Sequence, residues 1–283
     1  MRLMHLNIAE FGAILFGGAV LAGFLGSLTG LGGGIVIVPL LTLGFGVDIR
    51  YAIGASLLSV IATSSGAASA YVKEGYSNIR IGMFLEIATT MGALFGAYLG
   101  GILSPSVIAI IFGAVLIYSA WISTRPHPEH HPEHTSDPFA RKLKLASEYP
   151  YHGKMVRYGV HNVPFGFGIS AVAGIMSGLL GIGGGAMKVI AMDHAMKLPF
   201  KVSTTTSNFM IGVTAAASAG IYLSRGYLDP VLATPVVLGV LLGSLGGVRV
   251  LGRSNPKTLR TLFAIVIFVL ALEMIYNGAT GKI

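Results

Sequence analysis

The sequence Gly30-Leu-Gly-Gly-Gly34 lies between two apolar segments and recurs 151 residues later as Gly181-Ile-Gly-Gly-Gly185. An α-helix tolerates a run of glycines poorly, because glycine loses the most backbone freedom on folding. The apolar segment after each cluster, 34–46 or 185–196, is shorter than the roughly 20 residues that cross hydrocarbon as a helix. Each cluster therefore predicts a helical hairpin that is broken at its glycines.

The same shift of 151 residues aligns the two halves of the chain without a gap. Ser56 falls on Ser207, Pro105 on Pro256, and Gly75-Tyr76 on Gly226-Tyr227. The sequence thus predicts a first transmembrane repeat at 1–123, a polar His- and Pro-rich linker at 124–158, and a second transmembrane repeat at 159–283. Five apolar segments are expected in each repeat, at 9–30, 34–46, 51–72, 79–100 and 105–123, and at 161–181, 185–196, 202–223, 230–251 and 257–277.

The composition points to a lipid environment. Hydrophobic residues make up 53% of the chain, charged residues only 11%, and the mean hydropathy is +0.76. A soluble domain carries about a quarter charged residues. We therefore predict an all-α integral membrane protein that crosses the bilayer several times, an internal duplication of the kind common among secondary transporters.

Charged and sulfur-containing residues exclude several function classes. The chain has no cysteine, so disulfides, thiolate metal sites and cysteine nucleophiles are excluded. Its net charge of +8 fits basic cytoplasmic loops better than nucleic-acid binding, for which no motif is present.

The distribution of Lys and Arg predicts how the repeats are oriented. If each hairpin returns to its starting side and the linker is cytoplasmic, 14 Lys and Arg lie inside and 4 outside. If each hairpin counts as one crossing, the split is 11 to 7. Basic residues concentrate in cytoplasmic loops, so the first arrangement is favoured, with inverted repeats and both termini outside.

The glycine clusters are the first candidate binding residues. A helix N-terminus carries unpaired N–H groups and about half a positive charge. Two such ends that face each other could bind an oxyanion through Gly32, Gly33 and Gly34 and through Gly183, Gly184 and Gly185. The alternative is tight packing that needs glycine only for space.

Lys188 is a second candidate, because it interrupts an apolar segment and aligns with Ile37. A lysine at mid-membrane costs roughly 2.5–3.5 kcal/mol on insertion scales, so it usually has a partner or a function. It could neutralise an anion. The alternatives are snorkelling to the interface or pairing with Asp193.

Hydroxyl and amide groups that open the middle helices could replace water around an anion. Most of them are expected to bond their own helix backbone or to join helices. The side chains predicted to contact the substrate directly are those of Ser56, Thr206, Ser207 and Asn208.

Two further patterns have structural interpretations. Glu86 follows Arg80 by less than two helical turns, which favours a peripheral pair over a proton relay. The ladders Gly92/Gly96/Gly100 and Gly239/Gly243/Gly247 predict close helix contacts, either between the halves or between the protomers of a homodimer.

The linker contains a cluster of histidines, at positions 127, 130, 131 and 134. Clustered imidazoles can bind zinc or nickel. Interruption by proline gives no preset coordination cage, so a solvated loop is favoured and neither a metal nor a cofactor is predicted. The repeats contain no paired carboxylates or nucleophile–base set, so we expect no enzyme.

The stretch Gly26-Ser-Leu-Thr-Gly-Leu-Gly-Gly-Gly-Ile-Val-Ile-Val-Pro39-Leu resembles the opening motif of the TauE/SafE sulfite exporter family, and Ala52-Ile-Gly-Ala-Ser-Leu57 resembles the motif that follows it. The second half carries degenerate copies, with Ile190 in place of Pro39. The resemblance extends from Phe11 to Tyr276. It implies a permease of the plasma membrane that exports sulfite or a related organosulfur anion.

These expectations combine into a secondary transporter for a small sulfur-containing oxyanion, with a proton or sodium as the possible coupling ion. The alternatives left open are an anion channel, an uptake carrier for another small organic anion, and a membrane scaffold that transports nothing.

Overall fold

The computed structural model describes residues 8–29, 34–73, 75–124, 135–151, 154–251 and 256–283. The protein is mostly helical, at 78%, as the predicted all-α class requires. The described helices are α1 Ile8–Thr29, α2 Gly34–Pro39, α3 Ile49–Lys73, α4 Ile79–Gly100, α5 Pro105–Thr124, α6 Pro138–Lys142, α7 Val163–Leu180, α8 Gly185–Ile190, α9 Phe200–Ser224, α10 Pro230–Leu251 and α11 Pro256–Ala279.

Each of the two short helices α2 and α8 continues directly into a short π-helical turn. These turns span Leu40–Gly44 and Ala191–Ala195. The bounds of α2, α3, α4 and the first π-helical turn all recur in α8, α9, α10 and the second turn, at the same shift that aligns the two halves of the sequence. The beginnings of α5 and α11 are related by that shift as well.

The outer faces of the helices are apolar. Helices α4 and α7 are long and apolar enough, over the residues that the structure describes, to cross a membrane. Large hydrophobic side chains that point away from the protein body include Met83, Ile87, Met91 and Phe95 on α4, Leu238, Leu242 and Leu245 on α10, and Phe268, Val269 and Leu272 on α11. Such faces would be unfavourable in water and suit lipid, so the chain is a membrane protein.

Contacts at the ends of α4 fix the directions of α3 and α9. Arg50, at the start of α3, donates to the carbonyl oxygens of Gly100 (3.3 Å) and Leu103 (2.9 Å), at and beyond the end of α4. Arg225, just after α9, donates to the carbonyl oxygen of Tyr98 at 3.0 Å. The beginning of α3 and the end of α9 therefore lie together, and these two contacting helices run antiparallel.

The glycine ladders pack helices of the two halves against each other. A Cβ added at Gly92 or Gly96 of α4 would lie 2.2 or 2.0 Å from a carbonyl oxygen of α7. On the other side of the protein, a Cβ at Gly243 of α10 would lie 2.0 Å from the carbonyl oxygen of Val20 on α1. Backbones approach this closely only where side chains are absent. These described ladder glycines thus serve contacts within one chain.

The described part of the linker forms a small substructure that the sequence analysis did not predict. Helix α6 is followed by an antiparallel hairpin of β1 Ser147–Tyr151 and β2 Lys154–Tyr158. The side-chain amide of Asn78, at the start of α4, donates to the Tyr158 hydroxyl at 2.8 Å and to the carbonyl oxygen of Leu145 at 2.9 Å. The linker is therefore attached to the helices. Burial raises the pKa of Tyr158 to about 12.

Candidate functional site

The break between α7 and α8 is a short turn, 181–184. Gly181, Gly183 and Gly184 have φ values of 69°, 73° and 65°, in the left-handed region that side chains rarely adopt. The amide of Gly181 donates to the carbonyl oxygen of Ser177 at 2.8 Å and closes α7. Helix α8 then begins at Gly185, so the chain reverses within the glycine cluster.

The two glycine clusters touch each other through their described residues. A Cβ added at Gly34 would lie 2.8 Å from the carbonyl oxygen of Gly181 and 2.6 Å from the Ser56 hydroxyl. That hydroxyl donates to the Gly181 carbonyl at 2.7 Å, and Ser207 donates to the carbonyl oxygen of Gly185 at 3.2 Å. The beginning of α2 therefore meets the α7–α8 turn inside the protein, next to the beginning of α8. We call this place the tip junction and define it by Gly34, Ser56, Gly181, Gly185 and Ser207.

A small cavity borders the tip junction on the side of α5. Its walls are mostly apolar, and both short helices and the α7–α8 turn contribute to it. The lining residues are Ile35, Val115, Tyr118, Ser119, Ile182, Gly184, Gly185 and Met187.

A buried chain of polar side chains lies next to the tip junction, between α4, α8 and α9. The Lys188 ammonium donates to the Thr214 hydroxyl at 2.5 Å, and the Thr214 hydroxyl lies 2.6 Å from Glu86 Oε1. The Thr90 hydroxyl donates to the same carboxylate oxygen at 3.1 Å. Lys188 and Thr214 are fully buried and Glu86 is 8% exposed. We call Glu86, Thr214 and Lys188 the buried triad.

This arrangement corrects the expectation for Glu86. The predicted peripheral pair with Arg80 is wrong, because Glu86 is buried and contacts Thr214 and Thr90. Arg80 instead donates to the backbone carbonyl of Lys144 at 3.1 Å. Glu86 lies on the inner face of α4, so its distance from Arg80 along the sequence does not decide its partner.

The buried triad also bears on the two structural alternatives for Lys188, which were snorkelling to the interface and pairing with Asp193. The side chain does not snorkel to an interface, since none of it is exposed. It points to Thr214, whereas Asp193 lies 3.7 Å from the imidazole of its neighbour His194.

The predicted contact residues fall into three groups. Gly34, Ser56, Gly183, Gly184, Gly185 and Ser207 lie at or next to the tip junction, with Lys188 one helical turn further along. Thr206 faces α4 instead, where it accepts a hydrogen bond from the Asn78 backbone amide at 2.9 Å, and Asn208 is half-buried with no role in the described contacts of the junction. Gly32 and Gly33 lie outside the described residues, as do the four histidines of the linker.

One feature of the site was missed from the sequence. Thr214 is one hydroxyl among many on α9, and nothing in its spacing distinguishes it as the bridge between Lys188 and Glu86. The signal that existed is the presence of two ionisable residues in otherwise apolar segments, since a buried charge usually has a partner.

Two similar contacts between a cation and an aromatic ring lie at opposite ends of the antiparallel pair α3 and α9. The guanidinium of Arg50 lies 5.7 Å from the ring centre of Tyr227, and the ammonium of Lys201 lies 3.7 Å from that of Tyr76. Under the shift that aligns the two halves, Arg50 falls on Lys201 and Tyr76 on Tyr227. The same type of pair thus occurs at the start of α3 and at the start of α9.

Comparison with known proteins gives a consistent result. YunE of Bacillus subtilis, named a probable membrane transporter protein, is 29% identical over 269 residues, which cover 92% of this chain and 95% of that protein. The similarly named MJ0441 of Methanocaldococcus jannaschii is 26% identical over 90% of this chain and 92% of its own. A further probable membrane transporter protein, from Xylella fastidiosa, is 22% identical over 94% and 95% of the two chains. No solved structure matches. The family model of the sulfite exporter TauE/SafE matches residues 15–274, nearly the whole sequence, and the chain therefore belongs to that family.

Proposed function

We propose that the protein is a multi-pass secondary transporter of the plasma membrane that moves a small sulfur-containing oxyanion, such as sulfite or an organosulfonate. Export is the direction that the family description suggests. The observation that carries the proposal is the tip junction, where the beginning of α2 packs against the turn that leads into α8 inside an apolar helical protein. The names of the relatives, all probable membrane transporter proteins, agree with it.

The tip junction can replace the hydrogen-bond donors that an anion loses when it leaves water. Helix α8 and its π-helical turn form one continuous helical segment, 185–195, whose first residue, Gly185, lines the cavity. Amides at a helix start, together with the helix dipole, bind oxyanions without a charged side chain. Lys188 adds a full positive charge within one turn of that start. Binding near mid-membrane through broken helices is the plan of several transporter folds.

Alternating access requires two bodies that move around the site, and we assign these to two inverted repeats. The recurrence of the helix bounds at the shift that aligns the two halves supports this assignment. So does the antiparallel course of α3 and α9, which are equivalent under that shift. Rocking of one repeat against the other would then expose the tip junction to each side in turn.

Basic residues support a cytoplasmic linker. Arg80, Lys197 and Lys201 lie near the linker end of the helices, with Arg80 bonded to the linker itself. The opposite end carries Arg50 and Arg225, which are bonded to backbone carbonyls at the end of α4. This asymmetry follows the positive-inside rule when the linker faces the cytoplasm.

The test is sulfite flux into proteoliposomes that contain the purified protein, with sulfate, thiosulfate and taurine as competitors. We expect saturable flux that Lys188→Ala lowers at least tenfold, because the variant leaves the buried Glu86 charge unbalanced and removes the counter-charge for the anion. Lys282→Ala removes an exposed lysine near the C-terminus and should keep wild-type flux. Flux that is absent from the wild type contradicts the transport proposal, and full flux in Lys188→Ala excludes the lysine from the site.

A further inference from the structure

We propose that the buried triad is the proton-binding site that couples proton movement to anion transport, with Glu86 as the group that takes up the proton. This inference rests on the transport function proposed above and names its coupling ion. It starts from the observation that the triad places one acid and one base, joined by a hydroxyl, in the interior of the protein beside the tip junction.

The two carboxylate oxygens of Glu86 differ, because one accepts hydrogen bonds and the other has no hydrogen-bond partner among the described residues. Oε1 interacts with Thr214 (2.6 Å) and Thr90 (3.1 Å). Oε2 is buried and has no hydrogen-bond partner within the described residues. An unpartnered buried carboxylate oxygen is costly, and adding a proton removes the charge that makes it so. The unpartnered oxygen therefore offers a place where a proton can bind.

Thr214 transmits the change between the two ionisable groups. Its oxygen accepts from the Lys188 ammonium, while its proton can go to Glu86 Oε1 at 2.6 Å or to the backbone carbonyl of Met210 at 2.9 Å. When Glu86 is charged, the hydroxyl points to the carboxylate. When Glu86 is neutral, the hydroxyl can turn to the Met210 carbonyl, so the bridge persists in either state.

Other ionisable groups on the surrounding helices are engaged elsewhere. Helix α7, packed against α4, carries none. On α4, Arg80 bonds the linker and Tyr98 lies below Arg225. On α9, Lys201 lies over Tyr76 and Tyr222 donates to the carbonyl oxygen of Leu179, and beyond α8 Asp193 faces His194. Within the hydrogen-bonded triad itself, the ionisable groups are Glu86 and Lys188.

Charge balance explains why the proton and the anion would travel together. With Glu86 ionised and Lys188 protonated, the empty site is neutral. A proton on Glu86 leaves a net charge of +1, and one monovalent anion restores neutrality. An anion alone or a proton alone leaves a net charge in the low-dielectric interior, which is strongly unfavourable. The empty and the doubly loaded forms are thus the two that can change access.

The triad also spans the moving parts of the proposed mechanism. Glu86 lies on α4 of the first half, while Lys188 and Thr214 lie on α8 and α9 of the second. A rotation of one half against the other would change the distance between acid and base. The proton affinity of Glu86 would then differ between the two access states, as coupling requires.

Coupling of this kind constrains the direction of transport. At one proton per monovalent anion, each pH unit across the membrane balances a tenfold anion gradient. Net export then requires that the inside-to-outside concentration ratio of the anion exceeds the outside-to-inside ratio of protons. Net uptake follows whenever the outside is the more acidic side at equal anion concentrations.

The experiment compares radiolabelled sulfite accumulation by wild type, Glu86→Gln and Glu273→Gln in proteoliposomes that are one pH unit more alkaline inside. Glutamine imitates the protonated form of Glu86, and Glu273 is an exposed carboxylate of α11 that serves as the matched control. We expect about tenfold accumulation by wild type and Glu273→Gln at one-to-one stoichiometry. Glu86→Gln should exchange internal for external sulfite and accumulate no more than the protonation of sulfite itself produces.

Controls separate the triad from the substrate and from misfolding. Sulfite itself binds a proton near neutral pH, but this effect is common to all variants, and protein-free liposomes give the passive background. Thr214→Val should lower accumulation and Thr214→Ser should restore it, because serine retains the bridging hydroxyl. Monodisperse elution in size-exclusion chromatography checks that each variant is folded.

An infrared measurement tests proton binding without transport. Acidifying the purified wild-type protein should produce a carboxylic-acid C=O band that Glu86→Gln lacks and Glu273→Gln retains. Saturable wild-type flux with no accumulation, or Glu86→Gln accumulating like wild type, would overturn the coupling and leave the transport proposal intact. Absence of all saturable flux would overturn the transport proposal, and the infrared band would then decide separately whether Glu86 binds the proton.

Discussion

Replacing Gly34 with alanine tests whether the tip junction depends on the missing side chain. The added Cβ would lie 2.6 Å from the Ser56 hydroxyl, 2.8 Å from the carbonyl oxygen of Gly181 and 2.9 Å from a methyl group of Val60. All three distances are below the closest normal contact of a Cβ. Ser56 can rotate away, but it then gives up its 2.7 Å hydrogen bond to Gly181. The Gly181 carbonyl is backbone and can move only with the turn.

Two free-energy terms set the expected size of the effect. Overpacking of a well-packed interior by a methyl group costs about 1–3 kcal/mol. Loss of the Ser56–Gly181 hydrogen bond adds roughly 0.5–1.5 kcal/mol. We therefore expect Gly34→Ala to lower the free energy of unfolding by about 2–4 kcal/mol, from these terms together. Because the strain falls on the carbonyl of the α7–α8 turn, anion affinity should fall as well.

The matched control lies at the other end of the same helical segment. At Gly44, an added Cβ would meet only one side-chain atom, at 3.9 Å. Alanine is favoured over glycine in a helix by about 0.5–1 kcal/mol, so Gly44→Ala should be neutral or slightly stabilising. Thermal unfolding of detergent-purified protein and sulfite affinity in proteoliposomes measure the two effects. Equal unfolding temperatures and equal affinities for both variants would refute the proposed role of the tip junction.

Two further predictions concern parts of the protein away from the junction. Gly96→Ala places a Cβ 2.0 Å from the carbonyl oxygen of Ile175 and should lower the thermal unfolding temperature. Gly168→Ala on α7, where no atom lies within 4 Å of the added Cβ, should leave it unchanged. Equal decreases in the unfolding temperature of both variants would contradict the packing argument. Burial raises the pKa of Tyr158 from 10.0 to about 12, so its contribution to stability is complete below pH 10 and is lost as pH rises toward 12. Tyr158→Phe removes the hydrogen bond from Asn78 and should lower the free energy of unfolding at neutral pH by about 1 kcal/mol. In a thermal-shift titration, the unfolding temperature of this variant should fall less steeply with rising alkaline pH than that of the wild type. An equally steep fall in both proteins would exclude Tyr158 as the cause of the alkaline destabilisation.

The helical class and the break between α7 and α8 were predictable from the sequence, because both depend on local composition. Apolar segments of about 20 residues have few alternatives to helix in lipid. The run from Gly181 to Gly184 combines three left-handed residues, which glycine alone adopts at low cost. The π-helical turns after α2 and α8 were not predicted, since no composition rule distinguishes them from ordinary helix.

The polar contacts were less predictable, because they depend on which helix faces are buried together. Glu86 and Thr214 are far apart in the sequence, and their contact follows from the packing of α4 against α9. Neither partner stands out in its own segment by the spacing of its neighbours. Thr206 was predicted to contact the substrate along with Ser207, but adjacent helical residues point in different directions and only Ser207 faces α8.

The two charged residues of the buried triad have no charged counterparts in the internal repeat. Under the shift that aligns the two halves, Ser56 and Ser207 are equivalent, and so are Thr63 and Thr214. Lys188, however, aligns with Ile37, and Glu86 aligns with Val237, so neither charged residue has a charged counterpart. Two complete copies would bury four charges within apolar helices, at a cost of about a few kcal/mol for each. A single acid–base pair shared between the halves is enough to bind one proton, and it makes the site respond to their relative position.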